Sequence, residues 1–324
     1  MIFIVLTSMS EKDFFQIFIY IIVKMSFRKA VRRALDVWKI LSCTHAMPLD
    51  LVPVVPPQRK VEVMLPSIDK KGVRRALLIG SNYKGTAGEL KGCVNDLENI
   101  KTVLESNEFK HIHMVADGLP SRPTRETILS ELKRFLKNGT DDELLYIHFS
   151  GHGTQTLSLF DSSESDKMDE CICTFEDDKS LKTISDNEMN RIVRENLRKT
   201  ARLYVVFDCC HSGSMLDLRY EYAASAADKW RENTAINDTL DCGHVVMLSG
   251  CRDAQVSIDS VFSTKEGVEN QGALTYCLVN ALSETQTTLE VYQQIHEQLK
   301  ENKINQHPIL STNIRFDMAT KYLS

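Results

Sequence analysis

Short apolar runs alternate with longer segments that place an apolar residue at every third or fourth position along most of this chain. The runs Arg75–Ile79, His111–Val115, Leu144–Phe149, Leu203–Phe207 and Val245–Leu248 have the length and residue types of buried strands. Between them, Leu90–Leu104, Thr124–Leu136 and Asp186–Leu197 carry apolar residues at helical spacing. Two further helical segments, Gly272–Leu282 and Leu289–Leu299, precede a last short strand at Ile309–Ser311. Such alternation predicts an α/β fold built of βα units, with a mostly parallel central sheet and helices on both faces.

Upstream of this region the pattern breaks. Pro48, Pro53, Pro56, Pro57 and Pro66 fix φ and remove backbone donors, so Met47–Pro66 reads as an extended linker. The expected division is therefore an extension with its linker over 1–72 and a folded domain over 73–324. Two apolar runs, Met1–Leu6 and Phe14–Val23, lie in the extension, and both fall short of the ~20 residues that span a bilayer. Basic residues follow the second run (Lys24, Arg28, Lys29, Arg32 and Arg33), whereas a signal peptide carries its charge first. Membrane association of this segment and a merely superfluous extension both remain open, and Met9 and Met25 are alternative starts.

Composition narrows the class. With 43% hydrophobic and 26% charged residues the chain is globular, and a net charge of −5 provides no overall field for nucleic acid. Nine cysteines are scattered without the spacing of a disulfide scaffold, which points to a reducing, cytoplasmic setting. Cys171 and Cys173 with Cys209 and Cys210 raise the question of zinc, but C-x-C and C-C are not the usual paired C-x₂-C ligand spacing.

The chemistry gathers in two loops at predicted strand ends, where ligand sites of open α/β sheets collect. One is Ser150-Gly151-His152-Gly153 and the other Asp208-Cys209-Cys210-His211-Ser212-Gly213-Ser214. A cysteine attacks as its thiolate and needs a base, and an imidazole exchanges protons near neutrality. His152 and Cys210 are the candidates, although residue chemistry does not separate Cys210 from Cys209. Asp96 and Asp208 together would attract a guanidinium or ammonium group; alone, Asp96 reads better as a charge favoured at a helix N-terminus.

His148–Gly153 and Asp208–Gly213 resemble the two signature blocks of type I metacaspases. Gly92-Cys93-Val94-Asn95-Asp96, the block 251–255 with its preceding Ser249-Gly250, Gly272-Ala273-Leu274-Thr275 and Gln306-His307-Pro308 extend the resemblance from about Val73 to the C-terminus. It implies a caspase-like three-layer sandwich and a cysteine endopeptidase in which Cys210 is the nucleophile, His152 the general base and a thioester the intermediate. Backbone N–H groups of Gly153 and Cys210 would form the oxyanion hole. Cys93, Asp96, Ser150 and Asp208 would hold Arg or Lys of a protein or peptide substrate before the cleaved bond. Calcium would be the cofactor, held by Asp169, Asp186, Asn187 and Asp217; Asn187 stands where the family has a second Asp, which removes one negative charge. A monomer is expected, with Arg219, Lys229 and Arg231 as candidate self-cleavage positions. A non-catalytic scaffold of the same fold is the alternative.

Overall fold

The computed structural model describes residues 72–157, 168–210, 212–223, 230–234, 236, 240, 242–250, 259–264, 267–282 and 286–324. All belong to one compact unit, Val61–Ser324. The extension over 1–71, Lys229, His211 and the block 251–255 lie outside the described residues.

In chain order the elements are β1 (Arg74–Gly80), α1 (Cys93–Ser106), β2 (His111–Ala116), α2 (Arg125–Lys137), β3 (Leu144–Ser150), β4 (Gly153–Leu157), β5 (Met168–Phe175) and β6 (Leu181–Ser185). They continue with α3 (Asp186–Asn196), β7 (Arg202–Asp208), β8 (Tyr220–Tyr222), β9 (Trp230–Glu232), β10 (His244–Ser249), β11 (Asp259–Thr264), β12 (Gly267–Gly272), α4 (Ala273–Leu282), α5 (Thr288–Glu301) and β13 (Ile309–Thr312).

The main sheet has the order β2-β1-β3-β7-β10-β13-β8-β9; its first five strands are parallel and the rest antiparallel. Every residue of β3 and β7 is buried, because both faces of the sheet are covered and neither strand can present a polar side to water. On one face Leu97, Ile100 and Leu104 of α1 pack with Leu274 and Leu278 of α4 and Val291 and Ile295 of α5. On the other, Ile128, Leu132 and Phe135 of α2 join Met189, Ile192 and Val193 of α3. This is the layered α/β arrangement that the alternation predicts, in the caspase-like form that the resemblance implies.

Side-chain caps set several helix starts: Thr124 accepts from Thr127 N–H, Ser185 from Glu188 N–H, and Thr287 with Glu290 completes a capping box. Helix α1 differs. It begins at Cys93 and not at Leu90, since Leu90 donates its N–H to Asn82 and packs with Tyr83 in the loop after β1.

Two smaller sheets, β4-β5-β6 and β11-β12, have no counterpart in the sequence reading. From Glu170 to Phe175 every residue of β5 is buried, so the strand shows no polar–apolar alternation to read.

Candidate active site

Strands β3 and β7 are neighbours in register, with Ser150 opposite Asp208. The chain therefore leaves the sheet at two adjacent points, into Gly151-His152 on one side and Cys209-Cys210 on the other. Gly151 N–H reaches Asp208 C=O at 3.4 Å. Gly153 lies so close to the second loop that a β-carbon there would fall onto the Cys210 carbonyl oxygen and stand 3.2 Å from Cys209 Sγ. Only glycine permits this approach.

Burial separates the two cysteines. Cys209 is sealed in the core, whereas Cys210 is half-buried and open to a substrate. Burial also pushes the Cys173 thiol up to about 11 and raises that of Cys171, which disqualifies both as nucleophiles.

His152 is half-buried, with Nε2 2.6 Å from the Gly88 carbonyl oxygen. A carbonyl can only accept, so Nε2 carries the proton and Nδ1 is left as the basic nitrogen. Its backbone N–H donates to the Tyr83 hydroxyl at 2.9 Å, and the two rings lie 4.6 Å apart.

The carboxylates Asp96 and Asp208 gather on the α1 and α4 side of the same strand ends. Asp96, fully buried in the first turn of α1, accepts from Ser150 Oγ at 2.5 Å and from Gly272 N–H at 2.9 and 3.1 Å. Cys93 lies one turn earlier on the same helix face. Asp208 accepts from both the N–H and the hydroxyl of Thr275 at 2.8 Å.

Gly272 sits between the acids: a β-carbon there would collide with Asp208 Oδ2 and stand 2.9 Å from Asp96 Oδ2. Beneath them His148 Nε2 is 3.2 Å from Thr275 Oγ1, and burial lowers this imidazole to about 3, so it is neutral. Since Thr275 gives its proton to Asp208, His148 donates to Thr275.

The third group is also assembled. Asp186 begins α3 and accepts from Glu170 N–H at 3.1 Å and from Asn187 N–H at 2.5 Å. Asn187 Nδ2 is 3.4 Å from Asp169 Oδ1. Burial, and next the Asp217 carboxylate, push Asp186 up to about 9. Glu170, the buried neighbour of Asp169 in the same acidic pair, adds a further acid and accepts from Ser214 Oγ at 2.8 Å.

These are hard oxygen donors of the kind calcium takes. Among the described residues, however, no three His, Cys, Asp or Glu side chains form a group arranged to hold a metal ion.

Of the basic positions after the nucleophile loop, Arg219 is tied to Glu232 at 2.6 and 2.9 Å and Arg231 is exposed. No described helix is long and apolar enough to cross a membrane. Sequence reasoning missed Tyr83, Gly88 and, as individual contacts, Gly272 and Thr275. Gly272 and Thr275 fall in a block that carries the resemblance, and that was their one visible signal.

A family profile described as "Metacaspase, peptidase C14 domain" matches residues 74–219. Metacaspase-2 of Trypanosoma brucei brucei is 32% identical over 81% of this chain and 84% of its own length. A protein named inactive metacaspase-4 from the same organism is 32% identical over 79% of this chain and 76% of its own. Protein GSU0716 of Geobacter sulfurreducens shares the fold, with a TM-score of 0.55 and 20% identity over 76% of this chain and 95% of its own. Overall similarity therefore does not distinguish active from inactive relatives. Taken with the sandwich and its paired loops, these matches establish that the chain belongs to the metacaspase family of cysteine peptidases, which act on proteins.

Proposed function

We propose that this protein is an active, calcium-stimulated endopeptidase that cleaves after Arg or Lys. The observation that carries the reading is the Nε2–H bond of His152 to Gly88 O, which assigns the role of base to Nδ1, with Cys210 the half-buried cysteine of the neighbouring loop.

His152 Nδ1 takes the Cys210 thiol proton, and the thiolate attacks the scissile carbonyl carbon. The developing oxyanion is met by the N–H groups of Gly153 and Cys210. Collapse breaks the C–N bond, the leaving amine takes the proton from His152, and a thioester on Cys210 remains. Water, deprotonated by His152, then releases the acid and the free thiol.

Asp96 and Asp208 bind the basic side chain. Neutral donors hold both carboxylates, namely Ser150 Oγ, Gly272 N–H and Thr275, so their negative charge stays available for a cation. An acidic side chain would meet two like charges and be rejected. Asp169, Asp186, Asn187 and Asp217, helped by Glu170, would hold calcium. A calcium ion held there would neutralise the charge of these acids.

The test is hydrolysis of peptides ending in Arg, Lys or Asp before a reporter group, by wild type and Cys210→Ala, with calcium or a chelator. Arg and Lys peptides are expected to be cleaved, with at least a ~10³-fold loss in Cys210→Ala. Preference for the Asp peptide would sink the specificity. A wild type inert with calcium would leave a caspase-fold scaffold.

A further inference from the structure

We propose that Tyr83 is the positioning residue of the catalytic histidine: its hydroxyl, its ring and its carbonyl each fix a different part of His152. The proposal rests on the peptidase reading above and deepens it.

Tyr83 lies in the loop between β1 and α1, fully buried, with φ of +51°. A bulky residue in the left-handed region is strained, so the surrounding contacts must hold it there. Those contacts are on both sides of the residue. Upstream, Asp117 accepts from Ser81 Oγ at 3.0 Å and from Asn82 N–H at 2.7 Å, and Ser81 Oγ in turn accepts from Tyr83 N–H at 3.1 Å. Downstream, the Tyr83 carbonyl accepts from Thr86 N–H at 3.2 Å and from its hydroxyl at 2.8 Å.

Three routes run from this residue to His152. The phenol oxygen accepts His152 N–H at 2.9 Å while donating to Cys173 C=O at 2.9 Å, which pins the backbone of the histidine to β5. The phenol ring covers one face of the imidazole, with centroids 4.6 Å apart and planes tilted by 34°. The third route is relayed: Thr86 Oγ1 accepts from Gly88 N–H at 3.2 Å, and Gly88 O takes the His152 Nε2 proton at 2.6 Å.

Backbone, ring face and tautomer are thus all set from one residue. Gly151 is shaped to admit it, since a β-carbon there would lie 2.5 Å from the Tyr83 hydroxyl and 2.9 Å from Phe149. Burial raises the phenol well above its ordinary value, so it stays a neutral donor and acceptor across the working pH range.

The geometry gives Tyr83 no route to the substrate and no proton to transfer. Its effect is on placement, where an error of about 1 Å costs about 100-fold in rate.

The experiment compares wild type, Tyr83→Phe, Thr86→Val and His152→Ala in full-length protein with calcium. Two readouts are taken: Arg-peptide kinetics, and the pH profile of Cys210 alkylation by iodoacetamide, followed by peptide mass so that Cys209 is resolved. Tyr83→Phe keeps the ring but loses the hydroxyl. It is expected to lower kcat about 10- to 100-fold with KM within about twofold, and to move the alkylation midpoint toward that of His152→Ala.

Thr86→Val removes the hydroxyl's bonds to the Tyr83 carbonyl and to Gly88 N–H while leaving the phenol in place, and shifts both readouts the same way by less. It decides the matter if Tyr83→Phe fails to fold. A folded Tyr83→Phe with wild-type kcat and alkylation profile overturns the proposal. If wild-type alkylation is already indifferent to His152→Ala, the peptidase reading itself fails, and that result is distinguishable because it appears before Tyr83 is touched.

Discussion

The molecule contains two buried acidic groups that solve the same electrostatic problem in opposite ways. In the proposed substrate pocket, Asp96 accepts from Ser150 Oγ and Gly272 N–H, and Asp208 from both the N–H and the hydroxyl of Thr275. Beside β5, Asp186 is packed against Asp217 and Glu170, and its proton is retained up to about 9. Fixed dipoles can stabilise a buried carboxylate, and where they are too few the charge is neutralised by a proton or a cation. The first arrangement suits a site that waits for a transient basic side chain. The second suits a resident ion.

The sharpest way to break the comparison is in the pocket. Asp208→Asn keeps the shape but removes the charge, and kcat/KM for Arg peptides should fall about 10³-fold, as for loss of one partner of a buried ion pair. Cys210 alkylation should be unchanged. An Asp208→Asn enzyme with wild-type kcat/KM for Arg peptides would show that the pocket does not select by charge.

Gly272→Ala comes next, because the new methyl group falls between the two acids. The expected loss is about 100-fold for basic peptides, consistent with the 1–3 kcal/mol cost of overpacking, and steady-state kinetics on matched Arg and uncharged peptides would reveal it. Equal losses on both peptides would point to general misfolding.

At the other group, Asn187→Asp restores a negative charge, so half-maximal calcium should drop about tenfold in a titration of activity. The same change in the presence of a chelator should be silent.

Stability against pH gives the smallest effect and the clearest contrast of sign. His148 is held near 3, below the ordinary 6.5, so its contribution is present above 6.5 and lost as pH falls toward 3. Buried His244, also lowered to about 3 by its burial and by Arg202, acts in the same window. Asp186 is raised from 3.8 to about 9, so without calcium its contribution is present below 3.8 and lost as pH rises toward 9. Each group adds at most about 1.4 kcal/mol per pH unit. Thermal melts across pH in chelator should fall on both flanks, and calcium should restore only the alkaline one. Calcium protection on the acid flank alone would reverse the assignment of the two groups.

How much of this was readable beforehand depended on range along the chain. The strands Leu144–Phe149 and Leu203–Phe207 were legible because buried parallel strands are continuous apolar runs, and the loops that follow carry the dyad in consecutive residues. The start of α1 was misjudged by three residues because Leu90 has helical spacing but spends its N–H on Asn82. Strand β5 stayed hidden for the opposite reason, being buried on both sides with acids and cysteines among its residues.

By itself, then, the sequence determined the layer order of the domain, the two reactive loops and the identity of the acids, since periodicity and local motifs are written in neighbouring residues. Only the tertiary structure decided which cysteine is accessible, which nitrogen of His152 is free, and that Tyr83, Gly272 and Thr275 serve the site. Those outcomes depend on contacts such as Tyr83 to Cys173 and Asp96 to Gly272, between residues far apart in the chain. Burial and hydrogen-bond direction arise only when the sheet brings such residues within reach.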